Sequence, residues 1–178
     1  MGFAPPSAAE LADLDCLGRL VTAYSRAIDR RDFALLRSLY HDDAVEQHGE
    51  MFRGSPDDYV GFVRGALAAY ATTAHYVVNT LFELDGDAAE GETYKINYHR
   101  THGPDAREVI TGSRSLDHFA KRNGEWRFAR RFVVLDWART QPADAAAYSD
   151  FAAGSPHGAA GADDLSHALL SLFRRGGD

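Results

Sequence analysis

His75 stands at the head of "TTAHYVVNTLFELDGDAAEG", where an extended apolar run begins and then enters a Gly-Asp turn. An imidazole ordinarily titrates near neutral pH and is the side chain best suited to taking a proton from a substrate there. Strand alternation would put His75 on the same face as Val77, Asn79 and Leu81, with Tyr76, Val78, Thr80 and Phe82 on the other. Both faces are largely apolar, so the strand is expected to be covered on both sides. His75 then reads in two ways, as a hydrogen-bonded structural histidine at a strand end or as a base at the edge of an apolar volume. A base needs an orienting partner. Asp29 directly follows the apolar stripe of the first helix, at a helix C-terminus where negative charge is unfavourable by a few tenths to ~1 kcal/mol. A cation would offset that: an imidazolium, or Arg26 at i−3 on the same helix. Tyr24 lies on the buried stripe, either as core packing or as a phenol donating to a leaving group or oxyanion.

Other polar residues are candidates for substrate contact: His48 in "EQHG", Asn79, His99 and Arg131. Arg130 and Arg131 must point to opposite faces of the last strand, so at most one looks inward. His99 and His102 have H-x-x-H spacing, but on a strand-to-turn segment where the rings need not converge. No H-E-x-x-H, C-x-x-C or EF-hand pattern is present, so no metal site is expected. G-x-S-x-G, G-x-G-x-x-G and P-loop patterns are also missing, and no cofactor is expected.

The elements that must position these groups are legible from periodicity and caps. "SAAE" carries capping-box spacing, with Ser7 as N-cap, and Leu11, Leu14, Leu17, Val21, Tyr24 and Ile28 form one helical stripe ending near "DRRD". Asp32 caps a shorter helix with Phe33, Leu36, Leu39 and Tyr40. A short strand follows, ending near Gly49 or Gly54. Ser55 and Pro56 then open a third helix whose inner face is Tyr59, Phe62, Val63, Ala66, Leu67 and Tyr70. From Ala74 four long strands form a meander, with hairpin signals at "DGD" and Asn123-Gly124. Their length predicts bulges, one near Gly112. Helices followed by strands imply an α+β fold: a strongly bent antiparallel sheet wrapped over three helices, enclosing a cone-shaped cavity for a small molecule. The domain is expected over residues 1–139. Residues 140–178, rich in Ala, Gly and Pro, read as a linker with a C-terminal helix bearing Leu165, Leu169, Leu172 and Phe173.

Composition bounds the function. The chain has 178 residues, 45% hydrophobic, with a net charge of −7. That is enough for one core, and the acidic balance argues against nucleic-acid or anionic-membrane partners. No apolar run reaches membrane-span length, no secretory signal is recognisable, and the lone Cys16 suits a reducing compartment, so a cytoplasmic location is expected.

Taken in order, "LVTAYSRAIDRRDFALLRSLYHDDAV", "FRGSPDDYVGFV", "TAHYVVNTLFELDGDAAEGETY" and "HFAKRNGEWRFARRFVVLDW" resemble the SnoaL-like branch of the nuclear transport factor 2 superfamily over Leu11 to Arg139. The motifs are most similar to cofactor-free lyases: the hexachlorocyclohexane dehydrochlorinase, the bile-acid dehydratase and, more distantly, scytalone dehydratase. The resemblance implies a cone-shaped α+β barrel with a His75–Asp29 dyad and Tyr24 as third catalytic group. It also implies a homo-oligomer, a trimer before a dimer; the abundance of Phe, Tyr and Leu on the helices makes a small apolar, ring-containing substrate the expectation. The same superfamily hosts isomerases, cyclases, dioxygenase small subunits and plain binding modules. The tail from Thr140 departs from the family pattern, and covering the pocket mouth or a neighbouring subunit is the role expected of it.

Overall fold

The computed structural model describes residues 4–144, 146, 150 and 153–173. Helix α1 spans Ala8–Asp29 and opens with the complete Ser7/Glu10 capping box. Its buried stripe is Leu17, Leu20, Val21, Tyr24, Ala27 and Ile28, whereas Leu11, in the first turn, is exposed. The helix ends in a Schellman turn: the Arg31 N–H donates to the Ile28 carbonyl and the Asp32 N–H to the Ala27 carbonyl, with Arg31 at φ +54. Helix α2 (Phe33–Ser38) starts at once, capped by Asp32. Strands β1 (Tyr40–His48) and β2 (Phe52–Gly54) precede α3 (Pro56–Leu67), which has its own Ser55/Asp58 capping box.

Four long strands follow: β3 (Tyr70–Asp85), β4 (Ala88–Thr101), β5 (Arg107–Arg122) and β6 (Glu125–Pro142). Gly86 supplies positive φ in the β3–β4 turn, and Asn123 and Gly124 both take positive φ in the β5–β6 turn, the requirement of a type I′ hairpin. Tyr70 begins β3 instead of closing α3, and Phe62 is half exposed, stacked on Phe52. β6 continues past Arg139 because its ladder with β5 holds as far as the Arg107–Pro142 pair.

The six strands form one bent, open sheet in the order β2-β1-β6-β5-β4-β3. It is mixed, not purely antiparallel, since β1 lies parallel to β6. Alternation in a sequence reveals which residues share a face and is silent on which edge a strand will join, so this pairing was not legible. Bulges bend the long strands. One falls opposite Gly112 and Ser113, leaving Asp136 as the extra residue of β6, and another interrupts the β3–β4 register between Val77 and Asn79.

Beyond β6, the described tail forms a short turn at Gly161–Asp163 and helix α4 (Leu165–Leu169). It docks on the C-terminal end of α1. The Gly161 N–H donates to the Arg30 carbonyl, Arg30 pairs with Asp164 at 3.2 Å, and the Arg26 guanidinium stacks over Phe173. Arg26 is thus turned toward the tail. The Leu172 side chain and Arg174–Arg175, part of the expected C-terminal helix, lie outside the described residues.

The core joins α1, α2, α3 and the lower sheet around Tyr40, Tyr59, Phe119 and Phe128. Gly91 in β4 lies beneath Phe82, and a Cβ there would stand 2.6 Å from Phe82 Cδ1 and 3.0 Å from Phe119 Cε2. Gly91→Ala should therefore cost about 1–3 kcal/mol through overpacking. Urea denaturation would register this as a lower midpoint at constant slope; an unchanged midpoint would mean that both rings yield freely.

Candidate active site

Asp29 occupies the last turn of α1, and its carboxylate is fully engaged by β3. The backbone N–H of His75 donates to Oδ2 at 2.8 Å, the Thr73 hydroxyl donates to Oδ1 at 2.9 Å, and His75 Nδ1 lies 2.7 Å from the same Oδ1. Both side chains of the pair are only 13% exposed. The cation that offsets Asp29 within its own helix end is Arg31, not Arg26: its guanidinium donates to Thr73 Oγ1 at 2.8 Å and to the Ile28 carbonyl at 2.7 Å. A non-glycine residue in the left-handed region costs ~1–2 kcal/mol, and this side chain, which glycine lacks, is what occupies the position.

A carboxylate against Nδ1 fixes the tautomer. Nδ1 carries the proton and Nε2 presents its lone pair away from Asp29. His99 packs edge-on against His75, ring centroids 5.1 Å apart, and against Tyr70 at 4.8 Å. Burial, with the His75 ring second, draws the His99 pKa down to about 4, so His99 is neutral at physiological pH.

The inner wall beyond the dyad is polar. On β4 the inward residues are Thr93, Lys95 and Asn97, all buried, while Tyr94 and Ile96 point outward. On β5 Ser113, Ser115 and Asp117 are buried. Arg131 donates from Nε and Nη2 to the two Asp117 oxygens at 2.9 and 3.0 Å, and neither side chain is exposed at all. Its guanidinium is sandwiched between the Tyr24 ring at 4.0 Å and the Phe128 ring at 4.2 Å. Tyr24 shares a short hydrogen bond with the Tyr59 hydroxyl. Burial pushes both phenols up, so both keep their protons. Glu46, fully buried on β1, accepts from Tyr40 at 2.8 Å and contacts His48 Nε2 at 2.7 Å. His48 in turn stacks on Tyr59.

Of the residues singled out from sequence, Asp29 and His75 meet directly, with His99 beside them. Tyr24, Arg131 and His48 share the interior as a second, linked group, and among the described residues no hydrogen bond joins them to the dyad. Asn79 does not face inward. The bulge after Val77 shifts it opposite Tyr94, on the exposed outer face. Lys95, Asp117 and Glu46 had gone unnoticed. Glu46 shares its strand face with Ala44 in plain alternation, a signal that was available. Lys95 was hidden because its apolar neighbours Tyr94 and Ile96 look like the core-facing set.

A family model described as a SnoaL-like domain matches residues 9–132. No curated protein matches the sequence. Among solved structures, a scytalone-dehydratase-like protein from Novosphingobium aromaticivorans is similar at 19% identity and TM-score 0.67, covering 76% of this chain and 91% of that one. A hexachlorocyclohexane dehydrochlorinase, LinA-type3, from Novosphingobium barchaimii is similar at 16% identity and TM-score 0.67, covering 74% and 92%. An NTF2-like protein with a cystatin-like fold from N. aromaticivorans is similar at 18% identity and TM-score 0.60, covering 72% and 87%. At such identities the likeness carries the fold and not the reaction. The likeness to the NTF2-like structure is one of fold; the family match spans well over half of the chain and agrees with the bent open sheet over three helices, so the chain belongs to the SnoaL-like domain family.

Proposed function

We propose that the chain is a cofactor-independent lyase in which His75 Nε2 removes a carbon-bound proton from a small ring-containing substrate and a neighbouring leaving group departs. The observation that carries this reading is the three-donor clamp on Asp29. It presents Nε2 as an acceptor and places a carboxylate where imidazolium charge develops as the proton is taken. A partly buried site strengthens that charge pairing relative to water. The Tyr24–Tyr59 pair holds two phenolic protons and shares one hydrogen bond, which leaves one O–H free to donate to a departing oxygen or halide. Isomerisation or aldol-type cyclisation with the same base is the alternative, since the dyad selects proton abstraction and not the step after it. A dioxygenase small subunit would gain nothing from such a pair, whereas a binding module would use His75 merely to hydrogen-bond its ligand.

The outer sheet face supports self-association. Tyr76, Ile96 and Trp137 lie in one row across β3, β4, β5 and β6, and the Trp137 ring rests on Gly112, the β5 member of that row. Val78, Tyr94 and Leu116 extend the row into an exposed apolar face. A second copy of the chain is the proposed occupant, with a homotrimer the expected form. A small-molecule substrate and a cytoplasmic setting complete the reading.

Three outcomes are expected. In a panel of ring ketones, ring alcohols and polychlorinated rings, substrates will show solvent-deuterium uptake or loss of a leaving group by mass; Asp29→Asn should slow turnover about 10²–10⁴-fold and His75→Gln at least as much. Binding without turnover, unchanged in Asp29→Asn, would favour the binding module. For pH, the unfolded His99 takes its proton near 6.5 and the folded one near 4. The unfolded chain binds more protons between those values, so stability present above pH 6.5 is lost as pH falls toward 4. Thermal midpoints should decline across that window, and less so in His99→Asn. Finally, light scattering should give a trimer mass that Ile96→Glu reduces to the monomer; a wild-type monomer at micromolar concentration would overturn the assembly.

A further inference from the structure

The chain contains 17 arginines and only two lysines, Lys95 and Lys121. Lys121 is a surface residue whose ammonium donates to Asp13 at 2.8 Å. Lys95 is 5% exposed on the inward face of the sheet. Where a cation alone is wanted this sequence uses arginine, as at the fully buried Arg131. Lysine differs in being able to give up its proton and act as a nucleophile.

The placement suits that difference. His75 lies opposite Asn97 and Val77 opposite Lys95 in the β3–β4 ladder, which makes His75 and Lys95 diagonal neighbours on one face, about 7–8 Å apart. The Lys95 Nζ sits 4.8 Å over the Tyr24 ring, whose other cationic neighbour is Arg131. Among the described residues no carboxylate pairs with it and no hydrogen bond holds it, although Asp117 and Glu46 are near enough to act electrostatically. Around it, Thr93 Oγ1, Ser115 Oγ, Asn97 Oδ1 and Arg131 Nη1 are buried without a partner among the described residues. Unpaired donors and acceptors of this kind, gathered beside one amine, are costly unless a ligand completes them. Burial first, and the Arg131 charge second, pull the Lys95 pKa down to about 7, where a substantial fraction of the amine is free.

We propose that Lys95 is a nucleophilic amine that forms an iminium with a carbonyl substrate, next to the base His75. This inference rests on the proton-abstraction reading for its second half only. The neutral Nζ attacks the carbonyl carbon and the C–O π pair moves to oxygen; that oxygen takes one proton from the nitrogen and a second from solvent and leaves as water, giving a C=N⁺ bond. His75 Nε2 then takes the α-proton, and the C–H pair flows onto nitrogen to give an enamine. The enamine expels a β leaving group, giving an unsaturated iminium, or is reprotonated at the carbon that lost the proton. Water adds back to the iminium, releasing the carbonyl product and restoring the amine. The substrate class is therefore an enolisable aldehyde or ketone, with its oxygen directed at the Thr93/Ser115/Arg131 cluster before water is lost.

The test uses the full-length protein at pH 7 with sodium cyanoborohydride and either acetaldehyde or cyclohexanone, followed by peptide mass spectrometry. Lys121, whose pairing with Asp13 holds it protonated, is the internal control. The expected result is reductive alkylation of Lys95 at least tenfold faster than Lys121, retained in His75→Gln. Labelling that follows exposure, with Lys121 modified and Lys95 untouched by both probes, would overturn the proposal. Lys95 adducts in a protein that shows no α-proton exchange would uphold the amine and sink the base, so the two failures are distinguishable.

Discussion

One carboxylate joins the helical layer to the sheet. Asp29 closes α1, and three donors from a three-residue stretch of β3 converge on it. A negative charge at a helix C-terminus is electrostatically misplaced, and nothing in helix formation favours it. Here it is retained because β3 supplies the compensation that the helix cannot. The same contacts seat an edge strand against the helix and orient the His75 ring. The Schellman turn that follows sets Arg31 in a left-handed conformation, where its side chain steadies Thr73 from behind. Local strain, helix termination and base orientation are therefore one feature, and none can be altered without the others.

The second constraint is that the sheet from Thr93 to Asn97 and from Ser113 to Asp117 is polar within and carries Tyr94, Ile96 and Leu116 without. On β4, Thr93, Lys95 and Asn97 face the helices, and Tyr94 and Ile96 face away; on β5 the serines and Asp117 are inside and Leu116 is outside. An isolated domain would be expected to alternate the other way. Polar residues on the concave side are sustainable only where a cavity or an internal pairing meets their hydrogen-bonding needs, and the Arg131–Asp117 fork meets part of them. Apolar residues on the convex side are sustainable where another surface covers them. The inversion is what the proposed small molecule inside and the proposed second chain outside would each account for.

Much of the local structure was legible because it is dictated locally. The Ser7 and Ser55 capping boxes, the Asp32 cap, the Gly86 and Asn123-Gly124 turns and the need for a bulge near Gly112 all follow from short-range chemistry. Asp29 was legible from its place at a helix end, whereas His75, read as opening its strand, is the sixth residue of β3, which begins at Tyr70. What failed depended on register and on distant partners. A single bulge after Val77 moves Asn79 from the inner to the outer face, and alternation counts have no means of seeing one extra residue. The parallel β1–β6 pairing and the continuation of β6 to Pro142 are decided by neighbouring strands. Lys95 was missed because a rule that sends apolar residues inward assigns its strand backwards.

Each ion in the interior costs several kcal/mol in lost hydration, and an ion pair recovers this only when its geometry is good. Arg131 meets that condition with a bidentate carboxylate and two aromatic faces. Lys95, with one ring and no carboxylate, does not, and the imbalance is resolved by moving its proton affinity toward neutrality instead of by adding a partner. A side chain kept for stability alone would be replaced at such a position by an apolar residue of similar length, which would pack on Tyr24 without the desolvation cost. The proposed nucleophilic role is a use that an amine meets and an apolar residue does not, and the proposed base His75 is its diagonal neighbour on the same face of the sheet.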